Sequence, residues 1–132
     1  MRTLALGIVL SVVLTGCGNA DDQEPSTPII DDHVLTQAVE GVCEARDAID
    51  DSIGPSWEIF QNKAHDALHE LARQMTEESR GSAAALLEAK QRVEVAFVED
   101  MNAKGFRKLM NQLLDASNAA LGELSLATVR CP

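Results

Sequence analysis

The sequence predicts an all-α fold, an antiparallel up-down bundle of about four helices. Three observations support this prediction. Apolar residues make up 45% of the 132 residues but aromatic residues only 3%, so the core must be built mainly from aliphatic side chains typical of helices. Four apolar stripes recur at helical spacing between residues 31 and 132. Short breaks join these stripes, which favours antiparallel neighbours, and no stretch alternates convincingly enough to predict a strand.

The first predicted helix begins at a cap formed by Asp31 or Asp32 and runs to about Ser52. The dipeptide Gly54-Pro55 then breaks the chain, and proline suits the first turn of the helix that follows. The apolar stripe of the first helix comprises Leu35, Val39, Val42, Ile49 and Ile53, with Ala38 and Ala45 beside it.

The second predicted helix runs from this break to about Arg80. Its inward residues should be Trp57, Phe60, Ala64, Leu68, Leu71 and Met75. Gly81-Ser82 ends it and begins a third helix, whose stripe is Ala83, Leu86, Ala89, Val93, Phe97 and Met101.

Gly105 leaves the boundary between the third and fourth helices open, because it is either a C-terminal cap or a weak point in one longer helix. The fourth apolar face comprises Phe106, Leu109, Met110, Leu113, Ala120, Leu121 and Leu124.

Two basic residues, Arg46 and Lys90, fall within these apolar stripes. We expect their aliphatic stems to cover the edge of the core while their charged heads reach water. The alternative is an internal ion pair with a carboxylate such as Asp100.

The N-terminus has the features of an export signal. Met1-Arg2 precedes an apolar run from Leu4 to Leu14, which as a helix would span about 17 Å, short of the roughly 30 Å of a bilayer core. The run is therefore expected to be the core of a signal peptide and not a transmembrane helix.

The run ends in Leu14-Thr15-Gly16-Cys17, which resembles the lipobox of bacterial lipoproteins. The resemblance covers residues 1–17. It implies cleavage after Gly16, diacylglycerol on the Cys17 sulfur and acylation of the new amine by a chain such as palmitate. Two or three acyl chains anchor a protein stably, so the expected location is the extracytoplasmic side of the cell membrane or outer membrane. The alternative is an ordinary cleaved signal with a chance cysteine nearby.

Residues 17–30 are predicted to form a flexible tether after the lipidated cysteine. The segment is polar and acidic and contains Pro25 and Pro28, a composition typical of disorder. It could hold the domain up to about 40 Å from the bilayer. The predicted organisation is thus a signal peptide (1–16), a lipidated tether (17–30) and a helical domain (31–132).

The formal net charge of −10, from 21 acidic and 11 basic residues, restricts the partners. Such a field repels a phosphate backbone, which argues against nucleic acid. The membrane, reached through the lipid anchor, and an envelope protein are the partners that we expect.

Cys43 and Cys131 remain once Cys17 is lipidated, and an even number of cysteines in an oxidising compartment favours a disulfide. In the predicted bundle the tail after the fourth helix could fold back to Cys43. Such a bridge would contribute about 4 kcal/mol in the chain-entropy model. Two free thiols, metal ligation or intermolecular pairing are the alternatives.

The segment His65-Asp66-Ala67-Leu68-His69 has the spacing most typical of a chemical site. Histidines four residues apart on a helix point the same way, and such a pair suits Zn, Cu or Ni. Helical angles place both on the flank of the second apolar stripe. Bundle levels indicate four candidates for further ligands, Cys43, Glu44, Asp47 and Glu94. The alternative is that both are boundary residues hydrogen-bonded to neighbouring carboxylates.

The pattern His65-Asp66-x-x-His69 also resembles the His-Glu-x-x-His motif of zinc metalloproteases, with aspartate in place of the general base. This change shortens the base by one methylene, and neither a third ligand nor a substrate cleft is recognisable, so no catalytic residues are predicted. Residues 64–72 and 87–94 are similar to small exported bacterial proteins of unassigned activity.

The leading hypothesis is a membrane-anchored lipoprotein whose helical domain works through protein or envelope interaction. The alternative is an extracytoplasmic metal-binding protein that uses His65 and His69.

Overall fold

A computed structural model describes residues 31–132. The predicted signal peptide, the predicted lipidation site at Cys17 and the tether to residue 30 lie outside the described residues. Within the described part of the chain there are five helices and no strand, so the all-α class is confirmed. The helices are α1 (Asp32–Asp47), α2 (Gly54–Lys63), α3 (His65–Arg73), α4 (Arg80–Val98) and α5 (Ala103–Glu123).

Helix α1 begins as predicted and ends earlier. The Asp31 side chain caps it by accepting a hydrogen bond from the His33 amide at 3.0 Å. The helix stops at Asp47, because the Asp50 side chain accepts from the Ser52 amide at 3.0 Å and so stabilises a local turn instead of a further helical turn. The predicted stripe is buried throughout (Leu35, Val39, Val42, Ile49 and Ile53), and so are Ala38 and Ala45 beside it.

The predicted second helix is two helices in the structure, and its extension to Arg80 is wrong. The backbone kinks at Ala64 (φ −120°, ψ −38°), although the i→i−4 hydrogen bonds continue on either side of it. The kink lies where the chain approaches α1: a Cβ built on Gly41 would lie 2.9 Å from Cβ of Lys63. Helix α3 then ends at Arg73, before a turn in which the Ser79 amide donates to the Thr76 carbonyl.

Helices α4 and α5 are separate. Asp100 adopts a left-handed conformation (φ 51°), which aspartate tolerates better than most residues. The Asn102 side chain then caps α5 by accepting from the Gly105 amide at 2.9 Å. Gly105 is therefore part of the first turn of α5, neither a C-terminal cap nor a weak point in a longer helix.

The two helices form an antiparallel hairpin. Glu123, at the end of α5, accepts hydrogen bonds from Ser79 and Ser82 at the start of α4, each at 3.2 Å. At the opposite end of α5, Arg107 donates to the carbonyl of Arg46 in the last turn of α1 and to the carbonyl of Ile49 just after the helix. A guanidinium suits this place because a helix presents unpaired carbonyls and partial negative charge at its C-terminus.

The core draws on all five helices. Trp57 is only half-buried and stacks on Phe97 with ring centroids 4.3 Å apart. Its neighbour Ser56 occupies the interior instead, fully buried, and its hydroxyl has no hydrogen-bond partner within residues 31–132. No helix of the described segment is both long and apolar enough to cross a membrane.

The chain after α5 folds back onto α1. Asn118 holds this tail through two hydrogen bonds with Val129, accepting from its amide at 2.7 Å and donating to its carbonyl at 2.9 Å. The structure joins Cys43 to Cys131 in a disulfide, with Cα atoms 5.3 Å apart, which is the pairing that the sequence predicted.

Candidate functional site

The predicted histidine pair lies where α3 packs against α4. His65 is the first residue of α3, immediately after the kink, and His69 follows one turn later. Lys90 and Glu94 lie one turn apart on α4, facing the histidines. The kink therefore places the first imidazole opposite the carboxylate of the neighbouring helix.

A chain of hydrogen bonds links these side chains. Lys90 Nζ donates to Glu94 Oε1 at 2.6 Å, and the same oxygen lies 2.8 Å from His65 Nε2. The other ring nitrogen of His65 lies 2.8 Å from Asp66 Oδ1. An imidazolium donates to both carboxylates, whereas a neutral ring donates to only one. One oxygen of Glu94 therefore contacts both Lys90 and His65 where α3 and α4 pack together.

Lys90 is buried, with 2% of the residue exposed, so the prediction that its head reaches water is wrong. Its partner is Glu94, one turn away on the same helix, and not Asp100. Burial of a lone ammonium is costly, and the adjacent carboxylate is the group that offsets this cost. Arg46 is less buried and pairs with Asp47 at 2.6 Å.

The site shifts the titration of three groups. Burial alone would raise the pKa of Glu94, but the hydrogen bond and charge of Lys90, with those of His65, outweigh it and lower the pKa. The hydrogen bond from His65 lowers the pKa of Asp66. Partial burial and then the charge of Lys90 lower the pKa of His69. At neutral pH the site therefore holds ionised carboxylates beside a neutral His69.

The two imidazoles are neighbours but have different surroundings. Their ring centroids lie 5.5 Å apart at an angle of 74°, and the edge of Phe60 approaches His65 with centroids 6.0 Å apart. His65 is half-buried between its carboxylates, whereas His69 is exposed. This agrees with the flank position that the helical angles indicated.

Of the four predicted further ligands, the structure brings only Glu94 to the histidines. Cys43 lies in the disulfide, Glu44 pairs with Lys63 and Asp47 pairs with Arg46. Among residues 31–132 no group of three or more His, Cys, Asp or Glu side chains is arranged to hold a metal ion. Asp66 is 99% exposed and hydrogen-bonded to His65.

Sequence reasoning missed Lys90 as a member of this cluster. The available signal was a lysine inside an apolar stripe with a glutamate four residues later, the spacing of an ion pair along one helix face.

A second feature that the sequence analysis missed is the outer face of α4, which we define as Leu87, Gln91, Val95 and Val98. The three apolar members are 38%, 46% and 83% exposed. Beside the face runs an open groove of about 400 Å³, whose apolar lining includes Val95, Ala96, Met101 and Leu109. Large apolar side chains that remain exposed together are typical of binding surfaces.

Comparison of the chain with protein-family models, curated proteins and solved structures finds no significant match.

Proposed function

We propose that the protein is a bacterial lipoprotein, anchored by acyl chains on Cys17 on the extracytoplasmic side of a membrane, whose helical domain binds an envelope component. The observation that carries this proposal is the sequence Leu14-Thr15-Gly16-Cys17, placed directly after an apolar run too short to span a bilayer. The disulfide between Cys43 and Cys131 supports it, because such bonds persist in oxidising compartments outside the cytoplasm.

The proposal includes an up-down arrangement of the domain, with α2 and α3 acting as one kinked helix among four antiparallel segments. The contacts of Glu123 with the start of α4 support it, as do those of Arg107 with the end of α1. Such a domain presents its helix faces sideways above the tether, where a partner can reach them.

A binding role accounts for the features of the domain better than a catalytic role does. Both ring nitrogens of His65 are occupied by carboxylates, and the ammonium of Lys90 is buried against Glu94. These groups stabilise a helix contact. The exposed valines of the α4 outer face lack such a structural role.

The alternative is extracytoplasmic metal binding by His65 and His69. Their spacing on α3 and the neutral state of His69 at neutral pH support it. A metal ion would have to replace the contacts of His65 with Glu94 or Asp66. Titration with Zn, Cu or Ni during thermal melting tests this alternative: a shift that disappears in the His65→Ala/His69→Ala variant would support it, and no shift would sink it.

The lipid anchor is tested by expressing the full chain and its Cys17→Ser variant in bacteria fed labelled palmitate. We expect label, signal cleavage and membrane attachment in the parent and in a Cys131→Ser control, and loss of all three in Cys17→Ser. Unchanged processing and attachment of Cys17→Ser would show that the lipoprotein proposal is wrong.

A further inference from the structure

The outer face of α4 is an uncharged strip on a chain whose formal net charge is −10. Its four members, Leu87, Gln91, Val95 and Val98, follow one another at helical spacing and span about 16 Å along the axis. Three of the four large apolar side chains that are exposed within residues 31–132 belong to it. The remaining one, Val34, lies alone on α1.

The other sides of α4 are already used. Leu86, Ala89 and Val93 are buried in the core, and α4 packs on α5 and α3. The outer face therefore lies opposite the helix's own partners, beside the groove that Met101 and Leu109 help to line. A groove along a helix pair accepts a third helix by ordinary ridge-into-groove packing.

The charges beside the α4 outer face indicate which kind of partner it can bind. Glu88 and Arg92 form an ion pair with each other, whereas Glu99, which also lines the groove, makes no ion pair within the described part of the chain. The rim is thus net negative, on a chain whose formal charge is −10. A second copy of the chain would bring together two acidic molecules, which repel each other. A membrane-binding face is normally flanked by Lys or Arg, which this face lacks in excess. A basic segment of a protein partner therefore fits the negative surroundings of the face better than either.

We infer that the α4 outer face docks an amphipathic helix of a protein partner, with aliphatic anchors on one stripe and Lys or Arg beside them. The anchors would pack on Val95 and Val98, and the basic residues would lie near Glu99. This inference rests on the proposed binding function and assigns it a surface and a partner chemistry.

The test uses the full chain, one copy per phosphatidylcholine nanodisc, and a fluorescent synthetic helical peptide of about four turns with Leu on one stripe and Lys beside it. A second peptide carries Glu in place of each Lys. Empty nanodiscs provide the blank for peptide that partitions into lipid. We expect the Lys peptide to bind at least about tenfold more tightly than the Glu peptide.

The deciding variant is Val95→Asp/Val98→Asp. It makes the chain more acidic, so binding by general charge attraction would become tighter, whereas docking on the apolar face should weaken by about tenfold or more. Val34→Asp is the control, since it adds one negative charge at a valine on α1 that is about as exposed as Val95, and it should not weaken binding.

Unchanged or tighter binding by Val95→Asp/Val98→Asp, or no binding of the Lys peptide by the parent, would overturn the inference. Pairing of single-copy nanodiscs in sedimentation velocity, abolished by the same variant, would assign the face to a second copy and also overturn it. A chain that fails to enter nanodiscs would contradict the lipid anchor alone, because the same titration can then be run on the chain in solution.

Discussion

Lys90 determines the charge balance at the contact between α3 and α4. Its ammonium forms an ion pair with Glu94, and the same carboxylate also lies within hydrogen-bond distance of the His65 ring. The three groups depend on one oxygen, so removal of the carboxylate leaves a buried cation without compensation. Removal of the lysine leaves Glu94 with its histidine partner.

Glu94→Gln should therefore destabilise the protein more than Lys90→Met does. We expect a loss of about 2 kcal/mol in the free energy of unfolding for Glu94→Gln, since breaking a largely buried pair strands one charge, and a change close to zero for Lys90→Met, which replaces the cation by an apolar chain of similar length. Urea denaturation of both variants measures the difference. A larger loss in Lys90→Met would contradict the hydrogen-bond chain described for this site.

Acidification should destabilise the domain in two stages. The folded-state pKa of His69 lies below its ordinary value of 6.5, so the unfolded chain takes up a proton on His69 more readily than the folded chain does. The free energy of unfolding therefore falls as the pH drops below 6.5. Glu94, lowered from 4.5, contributes stability that is present above pH 4.5 and is lost as the pH falls further. Urea denaturation at several pH values should show both stages. His69→Gln should remove the upper stage, and an unchanged pH profile in this variant would contradict the assignment.

The kink between α2 and α3 is the element that positions the candidate site. Helical spacing placed Phe60, Ala64, Leu68 and Leu71 correctly in the core, because burial follows the period of the helix whether or not the axis bends. The kink itself could not be predicted, because it lies at a close approach to Gly41, more than twenty residues earlier in the chain. The burial of Lys90 was missed for a similar reason, since its environment comes from the packed helices.

Gly41→Ala tests this close approach. The added methyl would lie 2.9 Å from Cβ of Lys63 and 3.1 Å from its backbone, so α1 and α2 must separate. We expect a loss of about 1–3 kcal/mol in the free energy of unfolding, the usual cost of overpacking. Gly122→Ala is the control, because nothing lies within 4 Å of its added Cβ and alanine suits a helix better than glycine. Equal effects of the two substitutions would contradict the role given to Gly41.

At the scale of the whole molecule, the disulfide ties the C-terminal tail to the first helix and closes a loop with a sequence separation of 88. The pairing could be predicted from helix order and from the even number of cysteines that remain if Cys17 is lipidated. The position of the tail could not be predicted, because it depends on two hydrogen bonds between the Asn118 side chain and the Val129 backbone that form only in the packed structure.

Reduction should lower the free energy of unfolding by about 4 kcal/mol in the chain-entropy model, because the reduced unfolded chain regains the freedom of that long loop. Denaturation with and without a reductant measures this change. A Cys43→Ser/Cys131→Ser variant should match the reduced protein and be insensitive to the reductant. Equal thiol counts before and after reduction of the denatured parent would show that the bridge is not formed.

Cys17 is the residue on which the proposed lipoprotein depends most, because the proposed anchor requires cleavage before this residue and acylation of its sulfur. Mass spectrometry of the mature full-length protein, extracted from bacterial membranes, tests this directly. The predicted result is a chain that begins at Cys17 and carries a diacylglyceryl group on the sulfur, with Cys43 and Cys131 oxidised. A mature chain that begins elsewhere, or an unmodified Cys17, would contradict the account.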